Sequence, residues 1–285
     1  MGGSDERPEA PTEIAHHPAR IGVVTPTLNA ERFLEETLRS IWSQASDDVL
    51  IDHVLVDGGS SDRTLEIAGR YPTKTVVSTD DQGMYDAVNR GLALVEGDIV
   101  GYINADDEIA PEGFRRIADA FDADPAAGWL CGRVEYIDAG GGVLGRMQPV
   151  RLSLRSYLGL GWSCIPQQTV WARRDFWQRV GPFDVAYRNC GDYDWYARAL
   201  KLQDPLILQQ VLGRFRLHAG MLSLDSTKMI RESRMVQDRH GRRDLYGSVL
   251  GKILSLRLNV RNPGWLIAKK RGRIRFTSDR EDPET

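Results

Sequence analysis

An apolar run, Ile99-Val100-Gly101-Tyr102-Ile103, stops abruptly at Asn104-Ala105-Asp106-Asp107. Two adjacent carboxylates repel one another unless a cation or a ligand hydroxyl satisfies them. In an open α/β sheet, the carboxyl end of a strand is where ligands sit. Hard oxygen donors on such a loop suit Mg2+ or Mn2+, and either ion can bridge the phosphates of a nucleotide. The plain alternative is a solvated turn, because Asn and Asp favour turns in any case. Three further acid-bearing turns follow the same pattern, at Asp57, Asp80-Asp81 and Asp192. Asp57 can accept hydrogen bonds from a base N–H or a ribose hydroxyl, and Gly58-Gly59 let a flat ligand approach the backbone. Equally, Asp57 and Ser60 can serve only to cap the next helix.

The elements that must hold these acids are short buried strands alternating with amphipathic helices. Strands are expected at Ile21 to Thr27, His53 to Val56, Thr75 to Ser78 and Ile99 to Ile103. Helices are expected between them. One starts after Asn29, which can cap it, and carries Phe33, Leu34, Thr37, Leu38, Ile41 and Trp42 at helical spacing; the others span Arg63 to Tyr71 and Tyr85 to Leu94. Continuous apolar strands between helices argue for a parallel sheet covered on both faces, which gathers Asp57, Asp80-Asp81 and Asp106-Asp107 at one edge. Beyond Pro111 the pattern is mixed. It reads as a helix to Phe121, a strand at Trp129 to Tyr136, a turn at Gly140-Gly141-Gly142, a strand at Gln167 to Ala172 and a helix at Arg174 to Val180. A helix at Asp192 to Leu200 and final strands at Leu206 to Leu217 complete it.

At 285 residues, with 41% hydrophobic and 27% charged residues, the chain has the make-up of a globular protein with one large domain and an appendage. Cys131, Cys164 and Cys190 are odd in number and lack metal-ligand spacing, so they read as core thiols in a reducing cytosol. No apolar run is long enough to span a bilayer. Residues 1 to 20 lack the apolar stretch of a signal peptide and read as a disordered leader.

Taken in order, Val23-Val24-Thr25-Pro26-Thr27-Leu28-Asn29, Val56-Asp57-Gly58-Gly59-Ser60-Ser61-Asp62-Arg63-Thr64 and Asn104-Ala105-Asp106-Asp107 resemble a family 2 glycosyltransferase of the GT-A fold. Asp80 to Gly91 resembles the bacterial branch that builds exopolysaccharide, colanic-acid-like and O-antigen units. The resemblance covers Ile21 to His218. It implies an α/β fold with a nucleotide-sugar half at 21–110 and a mixed acceptor half at 111–220; beyond it, 221–285 reads from its residues as a basic helical tail. It implies that Thr25 and Pro26 open the nucleotide pocket, that Asp57 recognises the base, and that Asp81 and Asn89 join the donor site. It assigns Asp107 to a Mg2+ or Mn2+ ion, Asp106 to the ribose or the metal's surroundings, and His218 to the diphosphate or metal. Asp192, in Gly191-Asp192-Tyr193-Asp194-Trp195, stands where the family places its catalytic base. The chain departs from the pattern at Gly58, Val88 and Gly191, where many members carry an acid, an Arg and a Glu.

The chemistry so implied is inverting transfer of a sugar from a nucleotide-sugar donor to a glycan or lipid-linked acceptor, because one base opposite one leaving group gives a single displacement. Gln167, Gln168, Trp162 and Trp171 can line an acceptor cleft or simply fill the core. From Arg242 onward, basic residues alternate with Leu, Ile, Val and Trp265. Such a tail can lie at the inner face of a membrane or pack back on the domain with a solvated basic face. A non-catalytic nucleotide-sugar-binding relative is the alternative. A nucleotidyltransferase would need a Gly-rich loop after the first strand, and a nucleic-acid reader would need a recognition motif; the chain has neither.

Overall fold

The computed structural model describes residues 18–80, 82–219, 221, 226–241 and 245–270. Most of the expected leader, and Asp81, lie outside them. Among the described residues nine strands form one mixed sheet in the order β3-β2-β1-β4-β8-β6-β9-β5, with β7 hairpinned onto β6. β1 (Ala19–Thr27), β2 (Val49–Asp57), β3 (Lys74–Val77) and β4 (Ile99–Tyr102) run parallel, so their carboxyl ends share one edge. β8 (Trp171–Arg173) joins β4 antiparallel to β6 (Trp129–Ile137), which pairs parallel with β9 (Leu206–Arg216). The two-residue β5 (Glu108–Ile109), which the sequence reading did not anticipate, pairs antiparallel with β9 at Gly213 and Arg214. That pairing brings the acidic loop after β4 against the far half of the sheet.

Burial on both faces explains the unbroken apolar strands. Val24, Val54 and Val56 face a core with α3 (Met84–Leu94), α6 (Arg174–Val180) and α7 (Gly191–Leu202). Ile21, Val23 and Ile99 face a second core with α1 (Leu34–Trp42) and α4 (Gly113–Ala123). α4 presents Phe114, Ile117, Ala118 and Phe121 at the spacing of one helical stripe. Trp129, Trp177, Phe183, Trp195 and Tyr196 form an aromatic knot behind α7, with the Trp177 and Trp195 rings 4.5 Å apart. Cys131, Cys164 and Cys190 are buried free thiols.

Several local expectations are corrected. Asn29 does not cap α1. Its backbone is left-handed (φ 49°) and its side-chain oxygen accepts the Ser61 N–H at 3.0 Å, tying two loops together. The helix expected from Arg63 to Tyr71 shortens to α2 (Thr64–Ala68). Gln167 to Thr169 is a 3-10 turn rather than a strand, because Thr169 Oγ1 closes it onto the Pro166 carbonyl at 2.8 Å. α5 (Leu154–Leu160) was not anticipated, although Ser153 and Ser156 form a reciprocal cap at its start.

The tail forms α8 (Ser226–His240), α9 (Leu245–Arg261) and α10 (Pro263–Lys270). All three pack back. α8 buries Val236, α9 buries Leu254 and Leu258, and α10 buries Trp265 and Ala268. No helix among the described residues is long and apolar enough to cross a membrane. α9 meets α5 backbone to backbone: a Cβ added at Gly159 would stand 1.8 Å from the Gly247 carbonyl oxygen, and one at Gly251 would stand 2.2 Å from Gly159. Gly159→Ala should therefore lower stability by about 1–3 kcal/mol through overpacking, measured as a fall in the denaturant midpoint at unchanged slope.

Candidate active site

The loop after β4 alternates. Asn104 and Asp106 reach solvent, whereas Ala105 and Asp107 turn inward. Asp107 is fully buried; its Oδ1 accepts the Arg216 N–H at 2.9 Å and its Oδ2 accepts Gln168 Nε2 at 2.7 Å. Burial, then the adjacent Asp106 charge, push the Asp107 carboxyl well above the usual carboxylate range. Each Asp107 oxygen thus already accepts a hydrogen bond and is turned away from solvent. Asp106 takes the outward position. Its Oδ2 lies 2.9 Å from His218 Nε2, at the end of β9, and 29% of its side chain is exposed. Phe33 packs against the His218 ring, the centroids 4.7 Å apart and the planes tilted by 54°.

A buried ion network fixes this arrangement. Glu108 pairs with both Arg214 and Arg216, and Arg214 also pairs with Glu135 at 3.2 Å. Arg216 is 2% exposed and donates from Nε to the Asp106 carbonyl at 3.0 Å. Gln167 donates to the Tyr102 carbonyl at 2.7 Å, and the Asn104 amide lies 3.4 Å from Gln167 Oε1. Gln167 and Gln168 thus brace the loop instead of lining an acceptor cleft, and Trp171 packs in the core against Phe114.

This edge offers donor types that a divalent cation takes, carboxylate and amide oxygen and imidazole nitrogen. The Asp106 carboxylate and the His218 imidazole face each other, and the buried Asn104 Oδ1 has no hydrogen-bond partner. Among the described residues no group of three His, Cys, Asp or Glu side chains could hold a metal. An ion here would accordingly take few protein ligands and complete its shell from water and phosphate, as Mg2+ and Mn2+ commonly do.

Asp57, at the end of β2, holds the loop that follows it. Its carboxylate has no exposure and accepts from the Gly59 and Ser60 N–H groups at 2.9 and 2.8 Å, from Ser60 Oγ at 2.5 Å and from Thr27 Oγ1 at 3.2 Å. It builds the loop, and leaves Gly58 and Gly59 as the accessible groups there. Thr25 is buried with its hydroxyl 2.9 Å from His53 Nε2, and Pro26 is buried beside it. Burial holds His53 neutral, its pKa pushed down to about 3. Asn89 clamps the Phe183 backbone at 2.9 Å through its amide nitrogen and oxygen, and so fixes the loop before α7. Asp80 pairs with Arg90 at 2.9 Å.

Asp192 stands in the first turn of α7. Its Oδ1 accepts the Tyr193 N–H at 2.7 Å and the Tyr85 hydroxyl at 3.2 Å. Desolvation raises its pKa to about 6, against these two donors and with help from the charge of Glu232. Burial, then the charges of Asp192 and Asp107, push the hydroxyl of Tyr102 at the end of β4 well above the usual phenol range. Asp194 faces away, buried in pairs with Arg198 at 2.8 Å and His240 at 2.7 Å.

Sequence reasoning missed three residues. Glu232 of α8 accepts the N–H groups of Arg188, Asn189 and Cys190 at 3.0, 2.8 and 2.9 Å, and so fixes the turn that presents Asp192. Arg188 lays its guanidinium against Gly83, whose φ of 110° and missing Cβ leave room for it. Arg216 alternates with Arg214 and His218 along Arg214-Phe215-Arg216-Leu217-His218, and that period of two was the available signal.

The profile of glycosyl transferase family 2 matches residues 22–176. A PGL/p-HBAD biosynthesis glycosyltransferase of Mycobacterium tuberculosis is 30% identical over 182 residues, which are 62% of this chain and 68% of the relative. An uncharacterized glycosyltransferase of the same species is 25% identical over 202 residues, 68% of this chain and 74% of the relative. The structure resembles S. aureus TarS 1-349 in complex with UDP-GlcNAc, at a TM-score of 0.62 and 18% identity, covering 87% of this chain and 79% of that one. Against a longer TarS chain the match spans 39% of its length. It also resembles the mannosyltransferase PcManGT from Pyrobaculum calidifontis in complex with GDP-Man and Mn2+, at a TM-score of 0.57 and 16% identity, covering 93% and 83%.

Glu108→Ala should destabilise the protein by about 3–5 kcal/mol, because it leaves the buried Arg216 guanidinium without its carboxylate. Chemical denaturation against wild type measures this; a shift below 1 kcal/mol would show that the network carries little.

Proposed function

We propose that this chain, which belongs to glycosyl transferase family 2 and has the GT-A fold, moves a sugar from a nucleoside-diphosphate donor to an acceptor hydroxyl with inversion, aided by a divalent cation, in glycan or glycolipid biosynthesis. The observation that carries the reading is Asp192. It is a partly shielded carboxylate in the first turn of α7, oriented by Tyr85 and the Tyr193 N–H, with its pKa raised to about 6. A base poised near working pH accepts a proton well and still stands ionised at neutrality.

In the proposed step the acceptor oxygen attacks the anomeric carbon while Asp192 takes the hydroxyl proton. The bond from that carbon to the phosphate oxygen breaks, and the nucleoside diphosphate leaves with the electron pair. Asp194 is committed to Arg198 and His240, and so offers no second nucleophile for a double displacement. Asp106 and His218 are the groups proposed to hold Mg2+ or Mn2+, with Asn104 beside them. Such an ion neutralises charge growing on the diphosphate. Gly58 and Gly59 admit the base to the backbone of the loop that Asp57 builds. Arg188 and Arg90 bring positive charge to the loop after β3. The nucleotide sugars held by the TarS and PcManGT structures support a donor of this class, and the biosynthetic role in the mycobacterial relative's name supports the acceptor class.

Nucleotide release should be assayed with UDP-, GDP- and dTDP-sugars, Mn2+ and lipid-linked or free glycan acceptors. Turnover should rise with pH through about 6 as Asp192 loses its proton. Asp192→Asn should lower kcat about 10²–10⁴-fold and remove that acid limb; full turnover by the variant would strip Asp192 of its role. The stability sign is opposite. A carboxylate whose folded pKa is raised from 3.8 to about 6 costs stability increasingly from pH 3.8 up to about 6 and fully above it. Asp192→Asn should therefore melt no lower than wild type at pH 7.5.

Asp106→Ala and His218→Ala should weaken Mn2+ binding in the presence of nucleotide about tenfold or more, since even groups one step removed from a metal commonly cost that much. Water-proton relaxation reads this directly. Asp107→Asn should leave Mn2+ affinity near wild type, which separates the outward acid from the inward one.

A further inference from the structure

α9 is apolar on two opposite faces. One face, Gly247, Gly251, Leu254 and Leu258, packs on the protein. The other carries Tyr246, Val249, Ile253, Leu256 and Val260, which are 59, 46, 48, 63 and 73% exposed. At 3.6 residues per turn these five fall within about 80° of arc, on the side turned away from the packed face. Lys252 flanks the stripe on one side, and Arg257 and Arg261 flank it on the other, all three exposed. Residues 245–270 contain five Lys or Arg and no Asp or Glu, in a chain whose net charge is −3. A contiguous apolar stripe on a soluble surface marks an interaction site.

We propose that this outward face of α9 docks on an anionic lipid surface, with the five apolar side chains entering the headgroup boundary and the flanking cations meeting lipid phosphates. Charge complementarity selects this occupant. A helix lying in a membrane interface combines one apolar stripe with cationic borders, and each Lys or Arg near an anionic leaflet improves partitioning roughly fivefold. Pairing with a second copy is disfavoured by the same borders, because with cations on both flanks any self-pairing of the stripe sets cation against cation. Arg155 lies 5.2 Å from the Tyr246 ring and adds a further cation at the amino-terminal end. The docking would also place the enzyme sensibly. α9 rests on α5, whose Tyr157 ring lies 4.8 Å from that of Tyr193, next to Asp192 on α7. Docking itself does not depend on Asp192 being the base, and its test reads binding alone.

The test is co-sedimentation of the full chain with vesicles of phosphatidylcholine alone or with 30% phosphatidylglycerol, at low and high salt. Wild type should sediment with the anionic vesicles, much less with the neutral ones, and less as salt rises. Leu256→Glu with Val260→Glu should cut partitioning tenfold or more. Lys252→Glu with Arg257→Glu should do so on anionic vesicles only. All four side chains are exposed, and an unchanged melting temperature checks the fold. Wild type remaining in the supernatant, or sedimentation of the Leu256→Glu, Val260→Glu variant at the wild-type level, overturns the proposal. A dimer in sedimentation velocity that Leu256→Glu dissolves, without vesicle binding, also overturns it and gives the face to a second copy.

Discussion

The structure turns on the seam where Glu108, held by Arg214 and Arg216, locks the loop after β4 onto the end of β9. Asp107 reinforces the seam from within by accepting the Arg216 N–H and the Gln168 amide. A charged cluster buried in this way adds little net stability compared with apolar packing, but breaking one partner is costly. Its effect is therefore geometric. It commits the loop to one register against β9, and in that register Asp106 meets His218, a residue 112 positions later in the chain. The carboxyls at 107 and 108 turn inward, and the one at 106 turns outward.

Much of the frame was legible in the sequence because burial on both faces writes unbroken apolar strands. β1, β2 and β4 start or end within a few residues of where their apolar runs do, and α6 and α7 follow their stripes. The convergence of acidic loops at one edge follows from parallel strand order alone. The side-chain roles were less legible. Asp106 and Asp107 are adjacent acids of the same type, and only the path of the backbone decides which one faces solvent. Asp57 and Asn89 match a pattern by residue type; in the fold Asp57 accepts from the Gly59 and Ser60 amides of its own loop, and Asn89 bonds the distant Phe183 backbone. Such commitments join positions 94 apart in sequence in the case of Asn89 and Phe183, and no local periodicity encodes them. α5 was missed because seven residues are too few for a stripe to declare itself.

Two halves of the chain contribute unlike things to the site. The parallel half supplies loops whose backbone is exposed and whose acids are mostly turned inward. The mixed half supplies the helix start that carries Asp192, pressed from behind by the aromatic knot around Trp195. Tyr85 joins them, since it lies on α3 of the first half and donates to a carboxylate of the second.

The grip of Glu232 on three successive amides bears on where this molecule can be divided. The stretch shared with the family profile stops at residue 176, ahead of Asp192, His218 and the α8 glutamate that steadies the turn. A fragment cut at that border would keep the loops at the ends of the parallel strands and lose Asp192, His218 and Glu232. Exchange of carboxyl-terminal segments between homologues, as a route to new acceptor specificity, would succeed only where the incoming segment brings an acid to the same three amides.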